Sequence, residues 1–195
     1  DQQKRRLEGR LETQGLVVAG WRTVPLDEDA LGEPARRTMP RIEHVFVSAP
    51  DGVGDQAFQR KLFLARRLAE TETGPEEAFY IASLSATTLS YKGMVMPEYL
   101  AQFYPDLADP RLESPMALFH QRFSTNTLPQ WRLAQPFRYL AHNGEINTLK
   151  GNINWMKIHE QDMSSSLFKN VKDLTPVIRS SSDSGALDNV FELLV

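Results

Sequence analysis

The sequence predicts a layered domain that mixes helices with strands, α/β or α+β in class. Three observations predict it. Short runs rich in β-branched and aromatic residues recur at 14–24, 41–48, 78–84, 87–92, 115–125 and 137–142. Stretches with helical spacing lie between and after them, at 56–71, 145–161 and from Gly185 onward. Loops marked by Pro and Gly separate these elements, and the chain shows no internal repeat or low-complexity tract.

The first dozen residues, DQQKRRLEGRLE, are polar throughout and read as a polar helix, not as a signal peptide. QGLVVAGWRTV, residues 14–24, has strand composition, and Pro25, Gly32, Pro34 and Pro40 then punctuate a long loop. RIEHVFVS, residues 41–48, alternates as a half-buried strand does. Asp55 is placed to cap a helix over 56–71, where Phe58, Leu62, Ala65 and Ala69 recur at spacings of four, three and four and form one apolar stripe. Arg60, Lys61, Arg66 and Arg67 lie off that stripe. The Arg-Arg pairs at 5–6, 36–37 and 66–67 are expected on solvated faces.

AFYIASL (78–84) reads as a buried strand and TTLSYK (87–92) as its close partner. Pro97 opens a short helix, PEYLAQFY. Residues 115–125 alternate Met116, Leu118, His120, Arg122 and Ser124 on one face. That face passes from apolar to polar, as in a strand ending at a cleft. FRYLAH (137–142) is another strand candidate. Asn143-Gly144 is a turn, 145–161 is mainly helical, and Ser182-Asp183-Ser184 caps a last helix.

The bulk properties exclude several functions. A formal net charge of −3 in 195 residues argues against a general nucleic-acid binder. No run approaches the roughly 18 apolar residues of a membrane span. With no cysteine, the chain has no disulfide, thiolate metal site or thiol nucleophile of its own. The start without Met and the stop inside FELLV lead us to expect an excised or processed piece.

The polar residues of 120–155 carry the chemistry. Arg122, beside Ser124, Thr125, Asn126 and Thr127, can bind a carboxylate through two parallel hydrogen bonds, although an exposed arginine more often pairs with a surface acid. Asn143-Gly144 is by itself the commonest hairpin turn. Between a strand and a helix, however, it can present a side-chain amide N–H and an unhindered backbone N–H to an oxyanion, aided by the helix dipole. Asp183 is either a helix cap or the acceptor for an ammonium, and one role does not exclude the other. His120 and His142 are open to acid–base or structural roles, without metal-binding spacing. Trp21, Trp131 and Trp155 read as packing residues. Together these groups suit a free amino acid undergoing acyl transfer, with the nucleophile missing.

HQRFSTNT, LAQPFRYLAHNGEINTLKGNINWM and SSSDSGALDNVFELL resemble the glutamine amidotransferase domain of glutamate synthases. GWRTVPLD, LGEPARR, FYIASLS, YKGM and QFYPDLADPR extend the resemblance across essentially the whole chain. The HNGEINTLKGN block with RFSTNT is specific to this family, whereas other class II amidotransferases share only shorter Arg-x-x-Thr and Asn-Gly elements. The resemblance implies an α+β fold of the N-terminal-nucleophile hydrolase type, a four-layer αββα sandwich. It also implies that residues 1–195 are part of a glutaminase domain truncated at both ends, with the N-terminal strand missing.

The resemblance assigns roles by position. Arg122 binds the glutamine α-carboxylate with Thr125 beside it, Asn143 and Gly144 form the oxyanion hole, and Asp183 binds the α-ammonium. It leaves His120 and His142 without a catalytic role. The family's nucleophile is an N-terminal cysteine, so this chain alone is expected to be inactive. The implied activity is release of ammonia from L-glutamine for transfer to 2-oxoglutarate. FMN and an iron–sulfur cluster belong to the complete large subunit and none is expected in this piece. Expected partners are the remaining domains of that subunit, with a small subunit or ferredoxin, and neither nucleic acid nor membrane. The electron donor (NADPH, NADH or ferredoxin) stays open. The expected location is the cytoplasm, or a plastid if the source is a photosynthetic eukaryote. The alternative is a non-catalytic amino-acid-binding or interaction module of the same fold.

Overall fold

The computed structural model describes residues 1–73, 79–121, 128–180 and 182–195. In chain order the regular elements are α1 (Gln2–Thr13), β1 (Val17–Thr23), α2 (Glu33–Arg36), β2 (Glu43–Ser48), α3 (Asp55–Thr71), α4 (Leu100–Phe103), α5 (Leu149–Asp162) and α6 (Asp183–Leu194), with short 3-10 turns between them. The structure thus mixes helix with one two-stranded sheet, β1 beside β2. Val24 N donates to Ile42 O at 3.1 Å, just past the end of β1 and just before the start of β2, so the pair is antiparallel.

Contacts divide the chain into two compact units. The first comprises Asp1–Trp21, Val45–Leu89 and Thr148–Arg179; the second comprises Arg22–His44, Ser90–Asn147 and Ser180–Val195.

The first unit is organised by α1 against α3. Leu7 and Leu11 of α1, spaced by four, meet Leu62, Ala65 and Ala69 of α3 in one buried cluster with Leu16 and Ile81. Each fully buried leucine contributes about 1.5–3 kcal/mol relative to exposure. The apolar stripe expected on α3 is therefore the one observed, with Phe58 packed at its edge.

Two details of α3 differ from expectation. Asp55 is the first helical residue, and Gly54 takes the N-cap position. Arg66 and Arg67 are buried, not solvated. Both guanidinium groups have acceptors: Arg66 bonds Glu70 one turn on at 2.7 Å, and Arg67 Nη2 donates to the carbonyls of Leu174 and Pro176, both at 2.7 Å.

Residues 79–92 do not form the expected strand pair; 78 lies outside the described residues. Ile81, Phe79 and Leu84 still pack on the first core. The polar residues after them are held by a side chain instead of a β-ladder. Gln59 of α3 donates to Ser85 Oγ at 2.8 Å and accepts from Ala86 N at 3.0 Å.

α5 begins at Leu149, later than expected. Thr148 precedes it with φ +60°, a left-handed conformation that stops the helix propagating back to Glu145.

The second unit buries Val24, Ala30, Leu31, Ala35, Phe103 and Tyr104, with Tyr91 and Trp131 against them. Phe103 and Tyr104 meet edge to face at 4.5 Å, and the Tyr104 hydroxyl donates to Lys92 O at 2.8 Å. Gly93 is required here because a Cβ would overlap the Trp131 ring. Arg22 forks onto both oxygens of Asp106 at 2.8 and 2.5 Å, and the Tyr91 hydroxyl adds a third bond at 2.9 Å. The Arg22 bond, opposed by burial and helped by Tyr91, holds the Asp106 carboxyl below its ordinary value.

The strands expected at 115–125 and 137–142 are not present among the described residues. A strand needs a ladder partner, and among the described residues no strand pairs with 115–121: Met116, Leu118 and Phe119 are 78, 62 and 74% exposed. Residues 137–142 are held differently, by side chains of α6.

Candidate active site

The N-terminus of α6 supplies one side of the site. The Ser182 Oγ accepts from Gly185 N at 3.1 Å and is the cap, so Asp183 is the first helical residue and not the cap. A Cβ on Gly185 would overlap the Ser180 side chain, which explains glycine there.

Asp183 Oδ1 accepts from Ser184 N at 2.7 Å and from Ser184 Oγ at 3.2 Å, and its Oδ2 accepts from Ile146 N at 3.2 Å. Burial pushes this carboxyl up, but the Ser184 and Ile146 N–H bonds, the Ser184 hydroxyl and His142 outweigh it and hold it below the ordinary carboxylate value. A carboxylate offers about four acceptor positions. These three bonds leave capacity for one more donor, such as an ammonium.

α6 presents a second, unexpected feature. Ser184, Asp188 and Glu192, spaced by four, are all buried and lie along one helical stripe. They meet residues 138–142 in reverse order. Glu192 Oε1 pairs with Arg138 Nε at 3.4 Å, Asp188 Oδ1 accepts from Tyr139 N at 2.7 Å, and Ser184 Oγ bonds His142 Nε2 at 2.7 Å. Burial raises the Asp188 carboxyl above its ordinary value, against the Tyr139 N–H bond.

Lys92 lies in the same unit. Its Nζ donates to Arg132 O at 3.0 Å and sits 5.1 Å from the Phe137 ring centroid. Burial, then the nearby Arg138 charge, lowers its amine to about 7, while Asp188 opposes the shift.

His142 is fixed at every polar atom. Its N donates to Gln135 Oε1 at 2.9 Å. Its O accepts from Gln135 Nε2 at 3.0 Å and lies 3.0 Å from His120 Nε2. Its Nδ1 accepts from Gly144 N at 3.1 Å. That bond requires Nδ1 to be unprotonated, so the ring proton sits on Nε2 and is donated to Ser184 Oγ. The Ser184 hydroxyl in turn donates to Asp183. One continuous chain of hydrogen bonds therefore joins the Gly144 amide to the Asp183 carboxylate.

Asn143 and Gly144 are exposed and lie in a bend after His142. The helix dipole expected to assist them does not begin at this turn, because α5 starts at Leu149. Gly144 and Asp183 are thus joined in one network, Asn143 lies in the bend between His142 and Gly144, and Arg122 and Thr125 lie outside the described residues. Sequence reasoning left His142 and His120 without a role and passed over Ser184 and Gln135. The spacing of Ser184, Asp188 and Glu192 was the available signal for a buried polar face; Gln135 carried none. No group of three or more His, Asp or Glu side chains able to hold a metal occurs among the described residues.

The family of class-II glutamine amidotransferases matches residues 1–195, the full chain. The chain belongs to the class-II glutamine amidotransferases. As a member of that family it is similar to the glutamate synthase [NADPH] large chain of Azospirillum brasilense, at 52% identity over 93% of this chain and 12% of the relative. The corresponding large chain of Bacillus subtilis is 44% identical over 98% of this chain and 13% of its own length. Ferredoxin-dependent glutamate synthase 2 of Synechocystis is 44% identical over 97% of this chain and 12% of its own length. The chain therefore spans about an eighth of the length of these curated relatives. No helix among the described residues is long and apolar enough to cross a membrane.

Proposed function

We propose that residues 1–195 are part of the glutaminase domain of a glutamate synthase, and that Asn143, Gly144 and Asp183 act on one glutamine. The observation that carries this is the hydrogen-bonded path from the Gly144 amide through His142 and Ser184 to Asp183. It joins a candidate oxyanion donor to a candidate ammonium acceptor on a chain that matches the family throughout.

In this reading Asp183 takes the substrate α-ammonium at its remaining acceptor position. Arg122, with Thr125 beside it, takes the α-carboxylate through paired hydrogen bonds. A cysteine thiolate from another part of the polypeptide attacks the side-chain amide carbon. The carbonyl oxygen becomes an oxyanion held by the Asn143 side-chain N–H and by the Gly144 backbone N–H, which turns to it from His142 Nδ1. Ammonia leaves, and water then releases glutamate from the thioester. This chain has no cysteine, so alone it does not run the reaction. The complete domain is the four-layer αββα sandwich of the N-terminal-nucleophile hydrolases, to which these residues contribute a part.

The remaining domains of the large subunit carry ammonia to 2-oxoglutarate and hold FMN and the iron–sulfur cluster. This chain offers no thiolate to ligate such a cluster. A small subunit or ferredoxin supplies electrons, and the enzyme works in the cytoplasm or, in a photosynthetic eukaryote, in a plastid.

Glutamine hydrolysis by the complete polypeptide tests the reading. Arg122→Ala and Asp183→Asn should each raise KM for glutamine by roughly tenfold or more, the cost of one charge-assisted contact. Residues 1–195 alone should release no ammonia. An unchanged KM in both variants, or turnover by the cysteine-free chain, would overturn the assignment.

A further inference from the structure

We propose that His120 and Gln135 are positioning residues for the Asn143 side chain, because together they hold the peptide group that joins His142 to Asn143. This inference rests on the glutaminase reading given above.

Residues 111–119 and Gln121 are exposed, and His120 between them is partly buried. Its ring meets the backbone of His142. A carbonyl oxygen only accepts, so His120 Nε2 carries a proton and donates it to His142 O at 3.0 Å. Gln135 Nε2 donates to the same oxygen at 3.0 Å. A carbonyl oxygen has two lone pairs, and here both are taken. Gln135 Oε1 also accepts from His142 N at 2.9 Å, so the residue is held at both ends of its backbone.

The held carbonyl belongs to the planar group that contains Asn143 N and ends at Asn143 Cα. Two side chains therefore set the plane from which Asn143 projects. Asn143 itself is exposed and lies in a bend. A donor on an exposed turn stabilises an oxyanion well only if it is already in place when the charge develops. The clasp places this donor without locking Gly144. Rotation about the Asn143 Cα–C bond swings the Gly144 N–H away from His142 Nδ1 but moves neither Asn143 N nor Asn143 Cβ. One donor of the pair is held while the other turns. Neither His120 nor Gln135 touches a reacting atom in this scheme. Both act through Asn143.

The test uses the complete polypeptide, with kcat and KM for glutamine hydrolysis measured in the presence and absence of Asn143→Ala. His120→Leu keeps bulk at a partly buried position and removes the donor. His120→Gln places an amide N–H in the region of Nε2. His120→Leu should lower kcat by about tenfold, the value of one lost hydrogen bond, with KM nearly unchanged. Gln135→Met removes two bonds and should lower kcat at least as far. His120→Gln should keep most of kcat. With Asn143→Ala already present, His120→Leu should change kcat by less than about twofold, because the group it positions is gone. A general loss of packing would instead lower kcat equally in both backgrounds. The positioning role alone would be overturned if His120→Leu keeps the wild-type kcat, if His120→Gln falls as far as His120→Leu, or if the loss is the same with and without Asn143. A wild type that releases no ammonia from glutamine would overturn the glutaminase reading and this role with it.

Discussion

The two units bury their main helical contacts by opposite chemistry. In the first, α1 and α3 join mainly through Leu7, Leu11, Leu62, Ala65 and Ala69, with ion pairs from Arg6 and Arg10 to Glu72 just past the end of α3. In the second, α6 joins residues 138–142 through Ser184, Asp188 and Glu192, each matched to one polar group. An apolar seam holds surfaces together without dictating an atom-by-atom register. A polar seam specifies which residue faces which, because each buried polar group must find its partner. Gly144, His142 and Asp183 all connect to the polar seam.

The contrast can be broken by substitution. Glu192→Ala removes a buried carboxylate from beside the Arg138 side chain, which is 9% exposed, and should cost about 3–5 kcal/mol in unfolding free energy. Leu62→Ala should cost about 2–5 kcal/mol through lost burial and a cavity. The two seams differ in repair. Adding Arg138→Met to a Glu192→Leu change should recover most of the loss, since replacing both charges by apolar groups is often neutral or better. Denaturant titrations check both seams. A double variant as unstable as Glu192→Ala would contradict the account of the polar seam.

A smaller effect concerns Lys92. Its folded-state amine titrates at about 7, below the ordinary 10.5, because burial disfavours the charge. Between those two values the unfolded chain holds a proton that the folded chain has released, so this group makes stability rise with pH from about 7 to 10.5. Lys92→Met should remove that rise. Denaturation midpoints at pH 7 and pH 9.5 measure it, and an equal rise in the variant would count against the burial of the amine.

The same contrast explains what was legible in the sequence. The α3 stripe followed from spacing alone, because apolar residues at helical intervals have one good use. Asn143, Gly144 and Asp183 stood out because their chemistry suits a polar ligand. The polar seam did not stand out, since Asp188 and Glu192 look like ordinary surface residues of a helix until residues 138–142 cover them. Strand composition at 79–92 and 137–142 also misled. Those residues are suited to a sheet, but here Gln59 and α6 satisfy their polar groups instead. Burial of Arg67 was hidden for a similar reason, because its acceptors at Leu174 and Pro176 lie far away in the sequence.

The oxyanion role of Asn143 is tested most directly by kcat for glutamine hydrolysis in the complete polypeptide carrying Asn143→Ala. If Asn143 and Gly144 hold the oxyanion, kcat should fall by roughly a hundredfold or more while KM for glutamine stays near the wild-type value. A wild-type kcat in that variant would contradict the account.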